Sequence, residues 1–124
     1  MAFYLIKAKT GSTPYVLVDE AKKYIKIEGE SYHENVIDFF KEVNEWLDNG
    51  ASLDGFTVDF EMVYFNSSTA KLLFNMLLHM DNRASEGSTI TVNWITTKDN
   101  DIIIECGEDF KEEMANLTFN LVID

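Results

Sequence analysis

The spacing of apolar and polar positions changes period several times along the 124 residues. "FYLIKAK" (3–9) and "YVLVD" (15–19) are short runs rich in aromatic and branched side chains, parted by the turn cluster "TGSTP". They predict two strands. "KYIKIEGE" (23–30) sets Tyr24, Ile25 and Ile27 against Lys and Glu, which suits a third strand with one wet face, entered through a hairpin at 19–23. The period then lengthens. Val36, Phe39, Phe40, Val43, Trp46 and Leu47 follow helical spacing, with Asp38, Lys41, Glu42, Glu45 and Asp48 opposite. "SYHE" ahead of them predicts a capping box, Ser31 accepting from the third helical N–H and Glu34 reaching back. "DNG" (48–50) supplies the stop.

"FTVDFEMVYF", Phe56 to Phe65, carries the strongest strand pattern. Its second face is polar at first and apolar by the end, as expected of a central strand running into a covered region. The helical period returns from about Ser67 to Ala84, with a narrow polar stripe of Lys71, Asn75, His79 and Asn82. A helix so apolar elsewhere is either buried in its own core or offers an edge to a partner. "TITVNWIT" (89–96) predicts a buried strand. In "DNDIIIECGEDFKEEM" the three isoleucines favour a strand by propensity. The spacing of Ile103, Cys106, Phe110 and Met114 favours a helix, which Gly107 can interrupt, and the helix is the better reading. "LTFNLVI" (117–123) ends the chain as a strand. The order β-β-β-α-β-α-β-α-β predicts an α/β (α+β mixed) fold, a mixed sheet with helices packed on it. Residues 56–96 should form a right-handed parallel crossover.

Composition narrows the functional classes. The length suits one domain, and a hydrophobic fraction of 46% supports a real core. A net charge of −12 argues against nucleic acid and against anionic membranes, both of which call for a basic face. The charge is uneven: residues 1–30 carry +1 and the remainder −13. One cysteine, Cys106, forms no internal disulfide, the N-terminus lacks a signal-peptide pattern, and no run approaches a membrane span. A soluble cytoplasmic protein is the expectation.

Candidate chemistry is sparse. GxGxxG, P-loop, CxxC and HExxH patterns are all missing, so no catalytic residue, metal ligand or cofactor is assigned. His33 and His79 fall on different predicted helices. "DND" (99–101) with Glu105 lacks the glycine and glutamate positions of a calcium loop and reads as a helix cap. Cys106 among acids should keep a high thiol pKa. What remains is Asn66-Ser67-Ser68-Thr69. Asn66 or Ser67 can cap the following helix, yet capping does not need three hydroxyls. A serine at a helix N-terminus is also suited to phosphorylation, because the positive end of the helix favours a dianion.

The blocks "TPYVLVDEAKKYIKIEGESYHENVIDFFKEVNEWL", "FEMVYFNSSTAKLLF" and "IIIECGEDF" resemble the SiaC family of bacterial regulatory phosphoproteins, itself similar in fold to the STAS domains of anti-sigma factor antagonists. The resemblance covers roughly residues 13–114. It implies a non-enzymatic partner switch in c-di-GMP signalling. A Ser/Thr kinase phosphorylates the hydroxyl after the asparagine of "YFN", a PP2C-type phosphatase removes it, and the unphosphorylated form binds a target such as a diguanylate cyclase. It places the phosphoacceptor at Ser67, with Ser68 next. The family commonly has Thr at Ser67 and Pro at His33; the first change keeps a phosphoacceptor and the second weakens a helix start. The residues expected to meet the partner are Asn66, Ser68, Thr69, Lys71 and Leu72, and Lys71, one turn on, can pair with a phosphate at Ser67. The rival reading is a small-ligand sensor with a pocket between sheet and helix, suggested by an aromatic fraction of 13% that includes Tyr64 and Trp94. An enzyme built on paired carboxylates rests only on the abundance of Asp and Glu.

Overall fold

In the computed structural model, which describes residues 2–124, alternation of apolar side chains gives six strands: β1 (Tyr4–Lys7), β2 (Tyr15–Asp19), β3 (Tyr24–Ser31), β4 (Phe56–Phe65), β5 (Ile90–Thr96) and β6 (Thr118–Ile123). They form one sheet in sequence order. The first two pairings are antiparallel, and β3-β4, β4-β5 and β5-β6 are parallel. Each parallel step is bridged by helix: α1 (Val36–Phe39) and α2 (Lys41–Asp48), then α3 (Ser67–Ser85), then α4 (Asp101–Glu113). The expected parallel crossover over 56–96 is present as β4-α3-β5.

Because every crossover steps the same way, the helices share one face of the sheet. The inward side chains Val16, Val18, Ile25, Ile27, Phe56, Val58, Phe60, Val92 and Trp94 pack there with Phe40, Leu47, Leu73, Met80 and Phe110. Trp46 of α2 stacks on Phe3 at 5.2 Å and tilts against Phe56 at 5.8 Å, while Phe74 of α3 meets Phe110 of α4 at 5.5 Å. Such pairs add about 0.5–1.5 kcal/mol each beyond area burial. The other face is open and polar. Tyr24 and Asn93 donate to the two oxygens of Asp59, and Asn120 donates to Asn93.

Four local expectations need correction. Ser31 does not cap a helix. Pairing with Phe65 keeps it in β3, where the strand's alternation turns its side chain into the core. The helix begins only at Val36, with Asn35 before it and no side-chain cap bond. That helix is also not continuous. It breaks at Phe40, beside the point where Lys7 Nζ donates to the Phe39 carbonyl at 2.7 Å and sits over the Phe39 ring. Conversely, α4 runs unbroken through Gly107. There the glycine admits the Trp94 ring, whose Nε1 a Cβ would approach to 2.6 Å.

The fourth correction concerns the end of β4. Gly29 pairs with Met62 and Glu30 with Tyr64, leaving Val63 as the extra residue of a bulge. The bulge reverses the alternation. Phe65 turns inward to meet Trp94 edge-on at 6.1 Å, and Tyr64 turns outward to meet Tyr32 at 5.9 Å. The strand end is therefore not covered: Val63 is 59% exposed and Tyr64 47%.

Candidate phosphoacceptor and docking site

The C-terminal ends of β3 and β4 meet the first turn of α3, and the chain there is tightly organised. Asn66 is extended (φ −84, ψ 176), and its side-chain oxygen accepts from the Thr69 N–H at 3.0 Å. The Asn66 N–H donates to the Ser31 carbonyl at 3.1 Å. Thr69 Oγ1 donates to that same carbonyl at 3.1 Å and lies 2.9 Å from Ser31 Oγ. Ser31 and Thr69 are fully buried, so this hydroxyl pair clamps α3 onto β3. Buried hydroxyls without such partners would cost several kcal/mol, roughly 1–3 each by mutational measure.

The three hydroxyls thus separate. Asn66, not Ser67, is the cap. Thr69 is committed to the clamp, and its expected part in partner contact is corrected, since no outside group reaches a fully buried side chain. Ser67 and Ser68 are exposed on the first turn, where N–H groups lack helical acceptors and the dipole favours an anion. Lys71 is exposed one turn further on, and Leu72 is buried at the base of that turn.

Ser68 and Lys71 belong to the wall of a cavity of about 430 Å³ between α2 and α3. Asn44 and Asp48 form the facing wall, Leu72 and Met76 lie along the floor, and Ile37 stands at the mouth. The expected pocket between sheet and helix is thereby corrected to a groove between two helices. Trp94, a residue that suggested a ligand pocket, is in the core and donates to the Ile103 carbonyl. The same end of the molecule exposes Tyr32, Val63, Tyr64, Ile102 and Ile37, the last at 73%. The sequence pattern read Ser31 as a helix cap rather than a buried clamp and did not single out Ile37. The inward positions 25, 27 and 29 already place residue 31 inside, and Ile37 lines the groove from α1, ahead of the break at Phe40.

The remaining candidates carry little chemistry. His33 Nδ1 accepts from the Asn35 N–H, and His79 lines the groove with its Nε2 buried and unpartnered. Asn100, inside the "DND" run, caps α4 by accepting from the Ile103 N–H and donates to the Val63 carbonyl. Among the described residues no three His, Cys, Asp or Glu side chains cluster as metal ligands. Burial, and then the charge of Asp109, push the Cys106 thiol up to about 11, which leaves it a poor nucleophile at neutral pH. No helix among the described residues is long and apolar enough to cross a membrane.

Comparison with known proteins agrees with this geometry. The chain is 26% identical over 109 residues to an uncharacterised Pseudomonas aeruginosa protein, covering 86% of each. Its fold matches SiaC of Pseudomonas aeruginosa with a TM-score of 0.87 at 23% identity, over 98% of this chain and 99% of that one. It matches equally, at 24% identity and over 97% and 99% of the two chains, a crystal structure of the diguanylate cyclase SiaD in complex with its activator SiaC. The description SiaC family regulatory phosphoprotein fits residues 6–124. With nearly its whole length matched, the chain belongs to the SiaC family of regulatory phosphoproteins.

Proposed function

We propose that this protein is a partner switch that acts by docking rather than by catalysis, controlled by reversible phosphorylation of Ser67. A Ser/Thr kinase adds the phosphate and a PP2C-type phosphatase removes it. The unphosphorylated form docks on a signalling protein through the end of the molecule that carries Asn66, Ser68, Lys71 and Leu72. A diguanylate cyclase is the partner favoured by likeness to the SiaC that activates SiaD.

The observation that carries this reading is the exposure of Ser67 on the first turn of α3, beside Tyr32, Tyr64, Val63 and Ile37. A phosphate there adds close to two negative charges next to apolar surface that a partner must dry, which opposes docking by repulsion and desolvation. Ser68, also exposed, is the second candidate, whereas Thr69 reaches a kinase only if the clamp opens. The test is incubation with the cognate Ser/Thr kinase and ATP, followed by peptide mass spectrometry. Phosphate on Ser67 is the expected result; a chain that stays unmodified across 67–69 would sink the reading.

The volume of the groove lies within the range of small-molecule sites, so a ligand sensor is the second reading. A thermal-shift screen of nucleotides and lipids separates the two: a strong hit from a chain that no kinase modifies would favour the sensor.

A further inference from the structure

The groove between α2 and α3 holds two charges that the free protein leaves unmatched. Lys71 projects from the α3 wall and Asp48 from the α2 wall, and neither has an ion-pair partner within 4.0 Å among the described residues. Between them lie Leu72 and Met76, with exposed Ile37 at the mouth. The α3 wall repeats at helical spacing: Ser68, Lys71, Asn75 and His79 span twelve residues, about 16 Å or three turns. Length, apolar floor and opposite charges on opposite walls describe a seat for a helix with one apolar ridge and two differently charged flanks.

Resting on the docking function proposed above, we infer that the groove seats an amphipathic helix of the partner, whose acidic flank pairs with Lys71 and whose basic flank pairs with Asp48, and that phosphate displaces it by taking Lys71. Ser67 precedes Lys71 by four residues and Ser68 by three, the two spacings that put side chains on one helical face. A phosphate on either competes with the partner's carboxylate for one ammonium group, and it has the advantage of being tethered. Lys71 thus reads the state of the switch. Exposed Ile37 supplies apolar contact area above the floor of Leu72 and Met76, and Asp48 sets the direction in which the helix lies.

The test uses the unphosphorylated full chain and designed helical peptides of about fifteen residues. One peptide has a leucine ridge with a glutamate flank and a lysine flank; a second has lysine on both flanks. The first should shift the amide resonances of Ile37, Ser68, Lys71, Leu72 and Met76. Lys71→Glu, at an exposed position, should weaken that peptide about tenfold, because attraction becomes repulsion, and should bind the all-lysine peptide better than the wild type does. Shifts confined to other surfaces, no binding, or equal affinity for wild type and Lys71→Glu would overturn the inference. No kinase or cyclase takes part, so failure here leaves the phosphorylation result standing, and an unmodified Ser67 leaves the peptide result standing.

Discussion

Thr69 donates to the Ser31 carbonyl at 3.1 Å and meets the Ser31 hydroxyl at 2.9 Å, while Ser67, two residues earlier, faces solvent. Removing each hydroxyl should therefore have opposite signatures. Thr69→Ala leaves buried Ser31 without its partner and should cost about 1–3 kcal/mol of stability. Ser67→Ala should stay within about 0.5 kcal/mol, because Asn66 does the capping, while abolishing phosphorylation at that position. Urea denaturation of the two variants checks the pair. Asp81 gives a residue-scale prediction about pH. Its burial disfavours the charge, but hydrogen bonds from the backbone N–H groups of Leu117 and Asn116 and from the Asn116 side chain outweigh that and hold its carboxyl below the usual 3.8. A depressed carboxylate stabilises the fold above its unfolded pKa and loses that contribution as pH falls through its folded one. Unfolding free energy should therefore drop as pH falls below about 4, and Asp81→Asn should flatten that slope.

At the level of elements, α4 depends on close approach at one glycine. A Cβ at Gly107 would overlap the Trp94 ring, which is fixed by its bond to the Ile103 carbonyl and by Phe60, Phe110 and Phe119 around it. Gly107→Ala should destabilise by about 1–3 kcal/mol despite its better helix propensity, measured as a lower thermal midpoint. The sequence suggested that glycine as a helix break, since local propensity does not register a ring docking from β5. The same limit explains the capping box. "SYHE" satisfies the local rule, but strand pairing from Tyr24↔Thr57 through Ser31↔Phe65 holds Ser31 in the sheet. Elements with a sustained period were legible: α3 begins at Ser67 as read, and β4, β5 and β6 lie within a residue of their expected bounds. What escaped were features decided by another element, namely the bulge at Val63, the break at Phe40 and the clamp on Thr69.

At the scale of the whole molecule, charge separates the helices. Residues 34–48 carry five acids against Lys41, and 101–113 carry six against Lys111, whereas α3 between them exposes Lys71 and Asn75. A dianion on Ser67 would join a layer that is already negative, with Lys71 as the cation one turn away. The proposed phosphoacceptor rests on two levels of reading. The hydroxyl cluster and the helical period marked where a helix starts, and the family resemblance chose Ser67 among three. The groove was not legible, because it exists only where α2 and α3 lie side by side. The central claim is that one phosphate on Ser67 decides whether this surface is occupied. Its most direct measurement is calorimetric titration of the diguanylate cyclase proposed as the partner with two preparations of the chain, unmodified and stoichiometrically phosphorylated at Ser67. Tight binding by the first and a loss of about a hundredfold or more in the second is the predicted result; equal affinity for the two would contradict it.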